Sequence, residues 1–250
     1  MATAVVGLRS VGAETLLTLS SLAGQILKPK KVVIFVQGNI LNISEFYFEQ
    51  VIALLRANFI KVEIRIDKDT GMVNMYRQMI SVESDYIWFL NSDVYYMPVC
   101  LYQLVKTIKY RRCAAVVGCK VDVSNRHSYK DYSIEPTKEK SNNPFAIYET
   151  DFSLERIHLD LGNTLFNKKK LDIDIFPEVE KETTLGEDWI AGQILKENDK
   201  KVYMASKALA FHLDTQKKTY NLQKTTKELV SRTLRLLRLS NSVLQEYNSV

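Results

Sequence analysis

Asn91-Ser92-Asp93 directly follows the apolar run Asp85–Leu90 (DYIWFL). A carboxylate at the end of a buried strand can hold a hard divalent cation through oxygen, and the cation can in turn hold a diphosphate. Asn and Asp also simply favour turns, so the tripeptide alone supports both readings equally. Gly186-Glu187-Asp188-Trp189 opens a helical stretch. Two carboxylates in a first helical turn are favoured by the helix dipole, which is the plainer reading of that pair taken alone. Facing a pocket, such a carboxylate can accept a proton from a hydroxyl. His212 closes the apolar run ALAFH. A histidine there is more often a satisfied structural residue, but imidazole together with Asp93 suits a metal such as manganese. Arg77 has the forked geometry that pairs with phosphate oxygens, or is a solvated surface charge. His127 and His158 lie in a less regular region and carry no role.

These residues need a scaffold that brings them together, and the first half of the chain describes one. Thr3–Leu8, Lys31–Val36, Lys61–Ile66, Asp85–Leu90 and Ala114–Val121 read as strands. Helical spacing over Ala13–Leu27, from Ser44 to about Asn58, from Gly71 to about Val82 and from Pro98 to about Arg111 fills the intervals. Alternation of this kind predicts an α/β fold with a mostly parallel sheet, right-handed crossovers and helices on both faces. Ligands in such sheets sit beyond the carboxyl ends of the strands. The segments that follow strands are Arg9–Gly12, Gln37–Asn39, Asp67–Gly71 and Asn91–Asp93. The second half is less regular. Asp122–Asn143 reads as a long polar loop, and Phe145–Phe166 holds short strand-like pieces. Gly186–Glu197 reads as a helix, Lys201–Met204 and Ala208–Phe211 as strands, and Lys218–Tyr247 as a long helix.

Composition narrows the classes. The 250 residues are 46% hydrophobic and 25% charged, which suits one large soluble domain with a real core. A net charge of +5 fits an anionic ligand but is too small to argue for nucleic acid. Cys100, Cys113 and Cys119 are odd in number and lack metal-ligand spacing, so they read as buried thiols in a reducing compartment. No apolar run approaches the ~20 residues that span a bilayer. The expected location is the cytoplasm, at most peripheral to a membrane.

The order of the signals is more specific than any one of them. A strand, then GMVNMYRQ with Arg77, then YIWFLNSD, then GEDW, then a strand ending in His212 resembles a family 2 glycosyltransferase with the GT-A fold. The resemblance runs from about Ala4 to His212. It implies a Rossmann-like sheet with a smaller β region on the acceptor side. Residues 1–217 would be the catalytic domain, with 1–121 holding a nucleotide-sugar and 122–217 the acceptor. Residues 218–250 would be an amphipathic helical segment. The resemblance implies that Asp93 and His212 hold Mn2+ or Mg2+ and that Ser92 lies near the donor's ribose or sugar. Arg77 would face the donor, and Arg9 and Ser10 would lie against its base or ribose. Asp188 would be the catalytic base, with Glu187 supporting it. Trp189 is an acceptor candidate and could equally be core; Phe152 and Asp122–Asn143 are further candidates on that side.

Two positions depart from the pattern of that family. Asn91 replaces the first carboxylate of its acidic motif. Gln37 stands where many members have an Asp that contacts the base, with Asp67 and Asp69 nearby as substitutes. A UDP- or dTDP-sugar is the expected donor, with GDP as the further option, and the acceptor would be a glycan, free or linked to lipid or protein. The C-terminal helix, with Arg232, Arg235 and Arg238 among leucines, would pack on the domain, on a homodimer partner or on a membrane surface. Asn91 also keeps open a non-catalytic nucleotide- or glycan-binding module on the same scaffold. A sugar nucleotidyltransferase fits less well, because Gly7–Gly12 is a poor phosphate loop and GEDW and His212 would be unexplained. The start at the first strand is also compatible with one domain of a larger enzyme.

Overall fold

The computed structural model describes residues 1–8, 11–37, 45–68, 71–122, 153–156, 159–176 and 187–213, with only the backbone described for Val121, Asp122, 153–156 and Trp189. Four strands form the first part of one sheet: β1 (Ala2–Leu8), β2 (Lys31–Gln37), β3 (Lys61–Asp67) and β4 (Tyr86–Leu90). They lie in the order β3-β2-β1-β4 and are all parallel. Between them run α1 (Ala13–Ala23), α2 (Glu45–Ala57) and α3 (Met72–Ser81). This is the expected alternation, with ends displaced by a residue or two. Helix α1 stops four residues earlier than its apolar spacing suggests. The cause is Gln25, whose side-chain amide donates to the carbonyls of Tyr96 and Met97, while Ile26 N–H donates to Pro98 O. These bonds take the chain out of helical register.

The second part of the sheet departs from the expectation of a mostly parallel run. After β4 come a short strand β5 (Val94–Tyr96), helix α4 (Cys100–Arg111) and strand β6 (Ala115–Asp122). Strand β6 does not join β4. Strand β8 (Asn163–Asn167) lies between them, antiparallel to both. Strand β9 (Val202–His212) then pairs parallel with β6, and β5 and β7 (Ser153–Arg156) pair antiparallel with β9. The full path is β3-β2-β1-β4-β8-β6-β9-β5, with β7 beside β9. Lys201–Met204 and Ala208–Phe211 are thus one strand. Its register jumps from Gly118↔Ala205 to Cys119↔Leu209, so Ser206, Lys207 and Ala208 bulge out, and that interruption is what made one strand look like two.

Apolar side chains cover both faces of the sheet. On one face, Ala4, Val6, Leu8, Ile34, Trp88 and Val116 pack under α1, α2 and α4 through Leu19, Leu22, Leu55, Leu104 and Ile108. On the other, Val5, Val33, Phe89, Val117 and Phe166 pack under α3 and α5 (Glu187–Glu197) through Met75, Tyr76, Ala191 and Leu195. Helix α3 approaches β1 so closely that a Cβ at Gly7 would lie 2.1 Å from the Met75 methyl. The three cysteines are free and buried, as expected. No described helix is long and apolar enough to cross a membrane.

Asn163, fully buried on β8, ties these pieces together. Its amide oxygen accepts from Trp88 Nε1 at 3.1 Å and Cys100 Sγ at 3.4 Å, and its Nδ2 donates to Ala208 O at 3.1 Å, in the bulge of β9. Gly118 leaves the room: a Cβ there would lie 2.0 Å from Asn163 Nδ2 and 2.6 Å from Ala208 O. Gly118→Ala is therefore expected to lower stability by about 1–3 kcal/mol through overpacking. A thermal melt checks this, and an unchanged midpoint would mean that the bulge relaxes freely.

Candidate active site

The carboxyl ends of β4, β6 and β9 meet at one end of the sheet. Strand β5 runs back antiparallel beside β9, which places Val94 opposite His212, so the turn at Asn91–Asp93 faces the end of β9. Leu213 N–H donates to Asp93 O at 2.7 Å and fixes the two segments. His212 Nε2 then lies 3.1 Å from Asp93 Oδ2. Burial raises the Asp93 carboxyl, but the hydrogen bond and charge of His212 and the charge of Lys120 outweigh it, and the net direction is down. The two side chains are 41% and 24% exposed, so a ligand can reach them.

Behind this pair sits a cluster that the sequence did not disclose. Lys120 Nζ bonds Asp160 Oδ1 at 2.9 Å, and both side chains are largely buried. The same oxygen accepts from Gly162 N–H at 2.9 Å, so the Lys120 contact holds the Asp160–Asn163 turn. Burial works against the Lys120 charge, but Asp160, Asp188 and Asp93 together drive its pKa up. Asp188, in the first turn of α5, accepts a hydrogen bond from the Leu161 backbone. Burial foremost, then the charges of Glu187 and Asp160, push the Asp188 carboxyl up to about 8, against the opposing pull of Lys120. One lysine thus serves three carboxylates. Lys120 lies inside β6, near its carboxyl end, where a charged residue interrupts the apolar run. Asp160 has no such signal, because β8 shows no apolar run of its own.

The other sequence candidates divide by place. Asn91 sits in the β4–β5 turn, its backbone N–H donating to Tyr96 Oη at 3.1 Å, and its amide group lies against Gly162. Ser92 is partly buried in the same turn. Gln37 ends β2 as a buried side chain, in register with Asp67 at the end of β3. Asp67 is exposed and accepts from Lys68 N–H at 2.7 Å and Gln78 Nε2 at 2.9 Å. Arg77 is exposed on α3, with its Nε 3.6 Å from Asp174 Oδ2. The structure brings Asp93, His212, Asp188 and Glu187 to one end of the sheet, while Gln37 and Asp67 end the outer strands β2 and β3 and Arg77 lies beside Asp174. Arg9, Ser10, Asp69, Phe152 and the C-terminal helix lie outside the described residues, as does the Trp189 side chain.

A divalent cation fits the donor chemistry here. A carboxylate oxygen and an imidazole nitrogen converge at 3.1 Å within an acidic surround, a mixture that suits manganese. The described residues hold no group of three such ligands. Backbone pairing does set Asp122 opposite His212 on β6.

The raised Asp188 carboxyl has a consequence for stability. An unfolded Asp ionises near 4, the folded Asp188 at about 8. Between those values the native state holds the extra proton, so this group makes stability fall as pH rises through the window and level off above it. Asp188→Asn cannot ionise and escapes that fall. With metal chelated, its melting midpoint is expected to climb above that of the wild type from about pH 4 to about pH 8, by the equivalent of a few kcal/mol. Parallel midpoints across the range would show that Asp188 ionises normally.

Comparison with known proteins places the scaffold. No protein-family model matches the sequence, and no curated protein matches it. Solved structures do match. The first 349 residues of S. aureus TarS in complex with UDP-GlcNAc superpose with a TM-score of 0.63 at 15% identity, over 98% of this chain and 71% of that one. GalNAc-T7 with UDP, GalNAc and Mn2+ superposes with a TM-score of 0.66 at 12% identity, over 99% of this chain and 50% of that one. Against the longer S. aureus TarS chain this chain spans 41% of the length. At these identities the likeness establishes the fold, which is that of the GT-A glycosyltransferases.

Proposed function

We propose that the chain is an inverting, metal-assisted glycosyltransferase of family 2 that moves a sugar from a nucleoside-diphosphate sugar to an acceptor hydroxyl. The observation that carries this reading is the convergence of Asp93 and His212 with Asp188, partly buried in the first turn of α5, at the carboxyl ends of the strands of a GT-A sheet. Two structural neighbours hold UDP-GlcNAc in one case and UDP, GalNAc and Mn2+ in the other, which favours uridine over the other bases. Residues 1–217 are the catalytic unit in this reading, and the 122–217 half receives the acceptor.

The residues divide the work. Asp93 and His212 would hold the cation, which when bound offsets charge growing on the departing diphosphate. Asp188 takes the proton from the acceptor hydroxyl as that oxygen attacks the anomeric carbon from the face opposite the diphosphate. Its raised pKa makes it a stronger base than an ordinary carboxylate. Burial, then the charges of Glu187 and Asp160, keep it so, while Lys120 prevents the carboxylates from repelling one another out of position. Because the base must be ionised, turnover is expected to rise with pH up to about 8.

Asn91 supports a second reading, a binding module without turnover, and one pair of assays separates the two. Calorimetric titration of UDP with and without Mn2+ is expected to show metal-dependent binding that Asp93→Ala abolishes. Release of UDP from UDP-GlcNAc or UDP-GalNAc is expected to fall by about 10²–10⁴-fold in Asp188→Asn, with UDP affinity kept. No binding of UDP in either condition would remove the nucleotide and metal assignments. Binding without turnover, unaltered by Asp188→Asn, would establish the binding module.

A further inference from the structure

The outer strand of the sheet is built differently from its neighbours. Strand β3 has β2 as its one sheet partner among the described residues. Its side chains are largely exposed, whereas those of β2 are almost all buried. Ile64 is 42% and Ile66 79% exposed, and Phe59, just before the strand, is 96% exposed at a left-handed φ of 61°. An open strand edge with exposed β-branched residues invites pairing with another chain unless something covers it.

The sequence of β3 specifies what covers it. Lys61-Val62-Glu63-Ile64-Arg65-Ile66-Asp67 alternates charged residues on one face with apolar residues on the other. Laid antiparallel against an identical strand about Ile64, Lys61 stands opposite Asp67, Glu63 opposite Arg65, Val62 opposite Ile66 and Ile64 opposite itself. Residues directly opposite in an antiparallel pair share a face and touch. Every charge therefore meets its opposite and every apolar residue meets another. No neighbouring register does this. Centred on Glu63, the pairing sets Glu63 against itself and Lys61 against Arg65. Centred on Arg65, it sets Arg65 against itself and Glu63 against Asp67. A parallel, in-register pairing sets every charge against its own kind.

We propose that β3 is a self-complementary edge that joins two copies of this chain across a two-fold axis, continuing one sheet into the other. A two-fold contact uses the same patch on both partners, so a strand that complements itself in one register fits it. Like charges exclude the two adjacent registers, and pairings shifted further overlap at most three residues of the strand, which gives the contact its specificity. The inference does not depend on the chemistry proposed for Asp93, His212 and Asp188.

Sedimentation velocity over a concentration series at low ionic strength tests it. The wild type is expected to pass from monomer to dimer as concentration rises. Lys61→Glu alone sets like charges together at both ends of the pair, as does Asp67→Lys alone. Each is expected to weaken the dimer by about tenfold or more, as turning two favourable cross-strand pairs into like-charge pairs implies. An equimolar mixture of these two variants is expected to recover the dimer, because each contact between unlike variants again joins opposite charges. Recovery on mixing also shows that both variants are folded. Ile64→Lys, which sets two cations at the axis, is expected to be monomeric with an unchanged circular dichroism spectrum. A wild type that stays monomeric up to its solubility limit, or a dimer indifferent to all three substitutions, would overturn the proposal.

Discussion

The site end of this molecule is held by one buried amide. Asn163 has no access to water, so each of its polar atoms must find a partner inside the protein. It finds them on three other elements: the indole of Trp88 on β4, the thiol of Cys100 on α4 and the carbonyl of Ala208 in the bulge of β9. Leaving that carbonyl or that indole unpaired would cost about 1–3 kcal/mol apiece. The bulge, the side-chain-free position at Gly118 and the insertion of β8 between β4 and β6 are therefore one arrangement. It is also what sets the length of β9, so that its last residue, His212, arrives beside Asp93.

The adjoining Asp160–Asn163 turn joins this scaffold to the chemistry. Asp160 takes the charge of Lys120, and Leu161 gives its N–H to Asp188. Tyr96, wholly buried, bridges the turn to the acidic loop by donating to Gly162 O and accepting from Asn91 N–H. Largely buried charges such as Lys120 and Asp160 add little net stability, since desolvation consumes most of their attraction. Their value lies in position. They place a cation behind three carboxylates that would otherwise repel one another, and leave Asp188 basic without leaving it unpartnered.

How much of this the sequence discloses follows from physical range. Strands β1, β2, β4 and β6 are continuous apolar runs because both faces of the sheet are covered, and they are legible as such. Asp93, Asp188 and His212 were legible because each terminates or opens an element with a clear pattern. Strand β5 was hidden because three residues carry no periodicity. Strand β8 was legible only as one of the short strand-like pieces of Phe145–Phe166, because Asn163 and Thr164 are polar yet fully buried, with Asn163 partnered by Trp88 and Ala208. The pairing of Lys120 with Asp160 spans 40 residues, and no local rule reaches across that distance.

The same electrostatics account for the residue that least resembles the expected acidic motif. Asn91 lies against Gly162, and a Cβ on that glycine would sit 2.7 Å from the Asn91 amide and 3.0 Å from Asp160 Oδ1. An aspartate at 91 would thus bring another negative charge up to Asp160, in a site where Asp93, Asp160 and Asp188 already share Lys120 and Glu187 adds its charge beside Asp188. Like charges this close in a partly buried setting raise one another's pKa and work against ionisation. That would push the carboxyls of Asp93 and Asp188 upward. A neutral amide keeps the shape of the turn and the contact with Gly162 without that charge. The neutral amide at 91 is the electrostatic complement of the carboxylate that Asp160 supplies from the turn behind it.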